Sequence, residues 1–246
     1  MSAILVEGAR ALEGRVVLVS GAAGGLGREA ALACAKAGAK VVLLGRKVPK
    51  LNRVHDAIEA IGGEALLYPL DLEGASPDDY AELAQRIEAE LGRLDGLLHC
   101  AASFPGLTPL EHTDPATFAR GVHVNLTARW WLTQACMPLL RRADDAAVVF
   151  VVDDPATAGS AYWGAYGLVQ PTIDALVAML HAETASSAVR ISGLRPGPMR
   201  TPLRARAYAE EAAAAAKDAS TYAEACVTLL SDGGRVHRGG VWSLSA

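Results

Sequence analysis

Residues 15–27 read RVVLVSGAAGGLG, and the order of features in this stretch decides the fold. Arg15–Ser20 is a short apolar run between two glycines, which is typical of a buried parallel strand. A glycine-rich loop and the start of a helix follow it. Glycines let a backbone approach phosphates, and a helix N-terminus offers free N–H donors and the positive end of its dipole. This order predicts a pyrophosphate cradle, and an ordinary glycine-rich turn is the alternative. The cradle would be built by Ser20, Gly21, Gly25, Leu26 and Gly27.

Strands and helices alternate along the rest of the chain. Continuous apolar strands that alternate with helices predict an α/β fold, here a Rossmann-type doubly wound three-layer sandwich around a parallel sheet of about seven strands. No linker or repeat interrupts the pattern, so residues 1–246 are expected to form one dinucleotide-binding domain. The further predicted strands are 40–44, 65–70, 94–100, 147–152, 189–194 and 241–244, and the later helices are 116–140, 164–186 and an Ala-rich one over 202–220.

The composition excludes several classes of function. Of the 246 residues, 51% are hydrophobic and 20% are charged, which suffices for a large core. A formal net charge of −4 provides no basic surplus for a nucleic-acid backbone, so no nucleic-acid partner is expected. The four cysteines and six histidines show no metal-ligand spacing, so no metal is expected and the thiols are predicted to be reduced. Met1–Val6 has no basic segment, and no apolar stretch is long enough to cross a bilayer. The sequence therefore predicts a cytoplasmic protein without membrane contact.

The glycine spacing resembles that of a known family. Gly21, Gly25 and Gly27 form the pattern G-x-x-x-G-x-G, which is similar to the short-chain dehydrogenase/reductase family rather than to the motif G-x-G-x-x-G. The length and the alternation of strands and helices also fit, so the resemblance covers nearly the whole chain. It implies a nicotinamide dinucleotide cofactor and a small-molecule substrate.

The end of the second strand predicts which dinucleotide is bound. Related folds place an acidic residue there to hold the ribose 2′-hydroxyl of NAD, whereas this chain has Gly45 and Arg46. A guanidinium pairs well with phosphate oxygens, and the resemblance then implies NADP(H). A solvated loop arginine is the alternative. Asp71 and Leu72 match a family pair whose Asp bonds the adenine amino group, and an Asp that caps the next turn is the alternative there.

The catalytic pattern of the family is only half present. Tyr166 and Asn125 match its tyrosine and asparagine. The family lysine, four residues after the tyrosine, is replaced by Gln170, and the family serine, about thirteen residues before it, is replaced by Asp153. Pro171 is expected to kink the helix, so that Gln170 need not point where the family lysine would.

The loop after the fourth strand departs from the family as well. It has His99, Cys100, Ala101 and Ala102 where the family has Asn-Asn-Ala-Gly, and Ala101 keeps the family's place beside the cofactor. All of these changes would surround the nicotinamide, while the phosphate and adenine half agrees with the family. The sequence therefore predicts retained nucleotide binding with altered or lost chemistry.

Elementary acid–base chemistry predicts the direction of any reaction. A tyrosine has a pKa near 10, so only about one phenol in a thousand is ionised at pH 7. Gln170 carries no charge that could lower the pKa of Tyr166, although its amide could donate to a ribose hydroxyl. An ionised Asp153 beside the phenol would raise that pKa. A neutral phenol can still donate a proton, so NADPH-dependent reduction of a carbonyl or imine is expected.

The resemblance assigns the roles in such a reduction. Tyr166 would donate the proton, Asn125 would organise water or backbone, and Asp153 would relay protons. Pteridine reductases within the family carry an Asp at the position of Asp153, although they keep the lysine that is absent here. A pterin substrate is therefore a suggestion only.

The last third of the chain contributes the substrate side. Pro196, Gly197 and Thr201 resemble the family turn that contacts the nicotinamide carboxamide or the diphosphate. The segment 199–220 is expected to form a lid over the substrate cleft. Phe104 and Trp163 would line this cleft, and plain core packing is the favoured alternative for both. The resemblance also implies a homodimer or homotetramer.

Two other functions remain open at this point. The absent serine and lysine favour a catalytically impaired nucleotide-binding protein that serves as a sensor or an assembly partner. A structural paralogue without nucleotide binding is the third possibility, although the intact glycine loop speaks against it.

Overall fold

The computed structural model describes residues 10–210 and 216–244. Met1–Val6, on which the expectation of no signal peptide rests, lies outside the described residues. The strands of the described part are β1 (Val16–Ser20), β2 (Lys40–Gly45), β3 (Glu64–Pro69), β4 (Gly96–His99), β5 (Ala146–Val151), β6 (Val189–Arg195), β7 (Met199–Arg200), β8 (Lys217–Asp218) and β9 (Val241–Ser243). Seven of them form one parallel sheet in the order β3-β2-β1-β4-β5-β6-β9, and β7 pairs with β8 apart from it.

Helices cover both faces of this sheet. They are α1 (Gly25–Lys36), α2 (Val48–Glu59), α3 (Pro77–Leu91), α4 (Pro115–Val122), α5 (Ala128–Leu140), α6 (Pro155–Ala158), α7 (Gly164–Glu183) and α8 (Ala223–Leu230). Val17 and Val19 of β1 pack in the core formed with α1, α2 and α8, while Val16 and Leu18 pack in the core formed with α3, α5 and α7. The predicted doubly wound α/β sandwich with seven parallel strands is confirmed. None of the helices in the described part of the chain is long and apolar enough to span a bilayer.

The reversal of strand order places the site. The chain runs outward from β1 to β3 and then returns to add β4 on the other side of β1, and ligands bind at the carboxyl ends of strands at such a point. The loops after β1 and β4 touch there, because a Cβ atom added to Gly21 would lie only 2.7 Å from the backbone of Ala101.

The predicted Ala-rich helix over 202–220 is wrong in the residues that the structure describes. This segment holds two short 3₁₀ turns and β8, and residues 211–215 lie outside the described part. High helix propensity alone does not stabilise a helix in a protein, because tertiary packing of an apolar face supplies most of its stability. The helix of this region is α8, where every side chain except that of Glu224 is buried.

The helix predicted over 116–140 is present but not uniform. A π-helical turn, His123–Thr127, joins α4 to α5. Such turns are rare and are found frequently at functional sites. Asn125 lies in this turn and is fully buried.

An ionic network fastens the amino ends of the strands, opposite the cleft. The carboxylate of Asp145 accepts hydrogen bonds from Arg15 Nη2 at 2.9 Å and from Arg190 Nε at 2.9 Å. Arg190 also donates to the backbone carbonyls of Leu229 and Ser231 at the end of α8. The two arginines hold the pKa of Asp145 down at about 2, against the opposing effect of burial. The network therefore ties β1, β5 and β6 to the end of α8.

Candidate active site

A cleft of about 440 Å³ opens at the carboxyl ends of the strands. Three of the predicted site residues do not line it: Ser20, Gly27 and Asn125 lie behind its wall. The Ser20 Oγ atom accepts a hydrogen bond from the Ala101 N–H at 3.4 Å, so Ser20 shapes the loops rather than facing the cleft. The other predicted residues line the cleft: Gly21, Gly25, Leu26, Arg46, Asp71, Leu72, Ala101, Asp153, Tyr166, Gln170, Pro196, Gly197 and Thr201.

The glycines of the first loop meet two distinct demands. Gly21 and Gly25 have φ of +71° and +53°, a left-handed conformation that favours glycine. Gly27 is required by close approach instead, since a Cβ atom there would lie 2.3 Å from the carbonyl oxygen of Gly21. The twelve-residue helix α1 begins at Gly25, so its first N–H groups, which lack partners within the helix, open toward the cleft. These features fit a dinucleotide pyrophosphate.

One end of the cleft is basic and open to solvent. The Arg46 Nη1 atom lies 3.9 Å from Asp71 Oδ2, and both side chains are more than half exposed. The separation is an ion-pair distance that is too long for a hydrogen bond. Asp71 Oδ1 accepts a hydrogen bond from the Glu73 N–H at 3.2 Å, which is the turn-capping contact of the alternative interpretation. Lys47 and Lys50 also line this end, so an anionic group would meet three cationic side chains there.

The other end of the cleft holds a buried phenol beside a carboxyl group. The hydroxyl of Tyr166, on α7, donates a hydrogen bond to Asp153 Oδ2 at 2.9 Å. Asp153 Oδ1 accepts from the Asp154 N–H at 2.8 Å. Burial first, and then the charge and hydrogen bond of Asp153, raise the pKa of Tyr166 well above 10, while Arg129 opposes them. The phenol is therefore held in its protonated form.

Gln170 binds protein groups on two sides. Its Oε1 atom accepts from the Asp153 N–H at 2.9 Å, and its Nε2 atom donates to the Tyr166 carbonyl at 3.1 Å. Pro171 does not end the helix, since α7 runs from Gly164 to Glu183 with the proline on its exposed side. Gln170 therefore points into the cleft and fixes the backbone of Asp153.

Asn125 organises backbone. Its Oδ1 atom accepts from the Ser103 N–H and its Nδ2 atom donates to the Ser103 carbonyl, each at 2.8 Å. This paired contact holds the loop after β4, which lines the cleft from Cys100 to Phe104. Asn125 thus acts on the cleft through the loop.

The family model of short chain dehydrogenases matches residues 15–212. The chain belongs to the short-chain dehydrogenase family. YciK, an uncharacterized oxidoreductase of Escherichia coli K12, is 36% identical over 201 residues, which cover 81% of this chain and 79% of the relative. A solved short chain dehydrogenase structure from Pseudomonas syringae is 38% identical, with a TM-score of 0.93 and 98% of both chains covered. Another from Escherichia coli CFT073, solved in complex with NADPH, is 33% identical, with a TM-score of 0.92, 97% of this chain and 100% of that chain.

Arg129 is a cleft residue of this short-chain dehydrogenase that the sequence reasoning missed. It lies on α5, one turn after Asn125, and its side chain is buried at the floor of the cleft. The signal was available, since the stretch 124–139 (VNLTARWWLTQACMPL) contains one charged residue among mainly apolar neighbours. A charged side chain in such a stretch is rarely buried without a specific reason.

Aromatic rings form the wall beyond the phenol. Phe104 and Trp163 stack with centroids 5.0 Å apart, and both rings approach Tyr166, at 5.3 and 5.8 Å. The two residues line the cleft and also pack with each other. The prediction that they line the cleft and the alternative of core packing therefore each describe part of their environment. Tyr208, from the segment after β7, continues the wall with its ring 6.1 Å from that of Trp163.

A second polar group lies on α2, apart from the cleft. His55 Nδ1 is 3.6 Å from a carboxylate oxygen of Asp56 and 3.6 Å from one of Glu59. The possible ligand atoms of the three residues lie within 4.8 Å of one another, so they could together hold a metal ion. The sequence analysis expected no metal and did not single out this group. Both carboxylates are exposed, as surface ion pairs on a helix usually are.

Proposed function

We propose that this short-chain dehydrogenase is an NADPH-dependent reductase of a small molecule that carries a carbonyl or imine group. One observation carries the proposal: a buried, protonated Tyr166 phenol faces a glycine-lined dinucleotide cleft and is hydrogen-bonded to Asp153. A cleft wall of aromatic rings next to this phenol supports a substrate with apolar surface.

The cofactor preference rests on the basic end of the cleft. Arg46 follows β2 where NAD-binding folds carry an acid, and Lys47 and Lys50 reinforce its charge. A guanidinium pairs two N–H groups with phosphate oxygens, which fits the 2′-phosphate of NADP(H). The NADPH complex of the Escherichia coli CFT073 relative supports this preference. In the complex, Asp71 would bind the adenine amino group instead of pairing with Arg46. Pro196, Gly197 and Thr201 would contact the nicotinamide half of the cofactor.

The state of the phenol gives the reaction its direction. The cofactor, when bound, supplies a hydride to the substrate carbon. Tyr166 donates its proton to the substrate oxygen or nitrogen, which a neutral phenol with a raised pKa can do. Oxidation of an alcohol would instead require Tyr166 as a base, and the ionised form is disfavoured by burial and by Asp153.

The neighbouring residues prepare this step. Asp153 returns a proton from solvent to the Tyr166 oxygen, in the predicted role of relay. Gln170 and Arg195 hold the Asp153 backbone through its N–H and its carbonyl, at 2.9 and 3.3 Å. Asn125 fixes the loop that faces the reacting atoms. A lid over 199–220 belongs to the proposal, and the cleft position of its residues Thr201, Leu203 and Tyr208 supports it.

The proposal includes the oligomeric state, a homodimer or homotetramer. Trp130 on α5, together with Leu168 and Met179 on α7, exposes 43%, 59% and 61% of its surface, and large apolar groups of this kind favour a covered face. The two helices lie on the same face of the sheet.

The experiment is an assay of NADPH oxidation across a panel of quinones, aldehydes, ketones, cyclic imines and pterins. We expect substrate-dependent loss of NADPH absorbance with at least one class. The same panel is run with the double variant Asp153→Ser, Gln170→Lys, which restores the family pattern.

The second candidate function is nucleotide binding without catalysis, and the uncharged Gln170 favours it. It predicts that NADPH binds to the wild-type protein without being consumed by any member of the panel. Activity that appears only in the double variant would replace the reductase proposal with this one.

A further inference from the structure

Arg129 places a positive charge at the Tyr166 end of the cleft, and it takes no part in the steps of the proposed reaction. The side chain is 3% exposed and lines the cleft together with Tyr166, Asp153 and Gln170. Its Nη2 atom donates to the Ala101 carbonyl at 2.7 Å, and its Nη1 atom donates to the Val151 carbonyl at 2.9 Å. The guanidinium therefore bridges the carboxyl ends of β4 and β5.

This guanidinium lacks a carboxylate partner within the part of the chain that the structure describes. No Asp or Glu oxygen in residues 10–210 and 216–244 pairs with it, and its buried Nε atom has no hydrogen-bond partner. The other buried arginine of the core, Arg190, has a counter-charge, because its Nε atom lies 2.9 Å from Asp145 Oδ1. A buried charge without a counter-charge is costly and is retained where a ligand or a function requires it.

The residues around Arg129 show what it acts on. Tyr166 and Cys100 interact with its charge, and both interactions favour the charged guanidinium against burial. His99, whose Nε2 atom lies 2.9 Å from Thr133 Oγ1, is kept neutral by burial and by Arg129, since both lower its pKa. Asp153 accepts the hydrogen bond of the Tyr166 hydroxyl at 2.9 Å. The phenol thus shares its end of the cleft with a carboxyl group and a guanidinium.

Gln170 leaves the opposite wall without charge. It uses Oε1 on Asp153 and Nε2 on the Tyr166 carbonyl, and an amide carries no net charge. The positive charge at the Tyr166 end of the cleft is therefore that of Arg129 on α5, since Gln170 on α7 has none. The two ends of the cleft, Arg46 with its lysines and Arg129, are then each provided with positive charge.

We propose that Arg129 binds the nicotinamide riboside half of NADPH and supplies, from α5, the positive charge at the Tyr166 end of the cleft. This inference rests on the cofactor of the proposed function and extends it by one residue. The N–H groups of Nη1 and Nη2 that the Val151 and Ala101 carbonyls leave over are the donors for ribose oxygens. Arg129 is thereby a cofactor-binding residue and a positioning residue for Tyr166.

The test compares two ligands in calorimetric titrations with the full chain. NADPH reaches both ends of the cleft, whereas adenosine 2′,5′-bisphosphate carries only the adenine half and the 2′-phosphate. In Arg129→Met we expect NADPH to bind about ten- to a hundredfold more weakly, as for a lost charged hydrogen bond, with adenosine 2′,5′-bisphosphate within twofold of wild type. In the double variant Arg129→Met, Gln170→Lys, which moves the cation to α7, most of the NADPH affinity should return.

A second variant keeps the inference testable if Arg129→Met does not fold. Gln170→Lys alone adds a second cation beside the existing one, so it should not tighten NADPH binding. Tightening by tenfold or more would show that this end lacks a cation, and would overturn the proposal. Equal weakening of both ligands in Arg129→Met, or no weakening of either, would also overturn it.

The controls separate this inference from the proposed function. If wild-type protein binds NADPH but reduces no compound of the panel, the reductase proposal fails while the binding test of Arg129 still decides. If wild-type protein does not bind NADPH, both fail together.

Discussion

Replacement of Tyr166 by phenylalanine removes one oxygen atom from the site and leaves the ring in place. The ring contacts with Phe104 and Trp163, at 5.3 and 5.8 Å, do not require the hydroxyl. What is lost is the proton donor and the 2.9 Å hydrogen bond to Asp153. A positioned general acid contributes about a hundred- to ten-thousandfold, so turnover should fall by that factor.

The same substitution has a calculable effect on stability. A hydrogen bond to a charged group contributes about 1.5 to 3 kcal/mol when buried. Asp153 is only half-buried at the cleft wall and keeps the Asp154 N–H, and water can replace the lost donor. We therefore expect a loss of about 1 kcal/mol, which corresponds to a fall in Tm of about 2–4 °C for a chain of this length.

The assay measures NADPH oxidation with phenanthrenequinone as a reactive dicarbonyl probe, beside thermal unfolding and NADPH titration of each variant. Tyr80→Phe is the matched control, since the Tyr80 hydroxyl is buried and has no hydrogen-bond partner among the residues that the structure describes. Its removal should leave turnover unchanged and stability equal or slightly higher. Turnover by Tyr166→Phe above a tenth of wild type would refute the assignment of Tyr166 as donor. Loss of NADPH binding in Tyr166→Phe would show that the effect is structural.

Three further predictions concern Asp145, the pKa of Tyr166, and Asn125. Asp145→Asn should lower the free energy of unfolding by about 2–3 kcal/mol at pH 7, because it leaves Arg190 buried without its counter-charge. Since the pKa of Asp145 is lowered to about 2, this stabilisation is fully present above pH 4 and is lost as the pH falls from 4 toward 2, so in urea unfolding the wild-type advantage at pH 3 should be about half of that at pH 7. The rate of reduction should show no alkaline loss from Tyr166 up to pH 10, because its pKa is raised above that value, and a pH–rate profile with a Tyr166-dependent fall below pH 9 would contradict this. Asn125→Ala should cost about 2 kcal/mol of stability for its two bonds to Ser103 and lower kcat more than NADPH affinity, as steady-state kinetics and titration can show.

The parts of the fold that the sequence predicts are those with strong local signals. Apolar runs of strand length and the glycine loop after β1 give the sheet, its parallel sense and the position of the cleft. In the described residues of 202–220 the predicted helix is wrong, because composition indicated a helix where packing does not support one. In the described residues of that segment, Leu203 and Tyr208 pack against the aromatic wall instead of forming a helical face.

The candidate site is predicted where a residue type has one use and missed where the use depends on neighbours. The contact between Asp153 and Tyr166 is expected from the resemblance, which puts Asp153 at the position of the family serine, about thirteen residues before the tyrosine. The roles of Gln170 and Asn125 required coordinates, because an amide can donate or accept in many directions. The π-helical turn that directs Asn125 inward leaves no pattern in the sequence, and the burial of Arg129 one turn later depends on the loops that it bridges.

The proposed function requires that the cleft bind NADPH through Arg46 and its neighbours. It is tested most directly by titration of the wild-type protein with NADPH and with NADH, and of Arg46→Ala with both. We expect NADPH to bind more tightly than NADH, and Arg46→Ala to weaken NADPH binding by about ten- to a hundredfold while NADH binding is unchanged. Absence of binding by either nucleotide to the wild-type protein would contradict the claim and, with it, the assignment as a reductase.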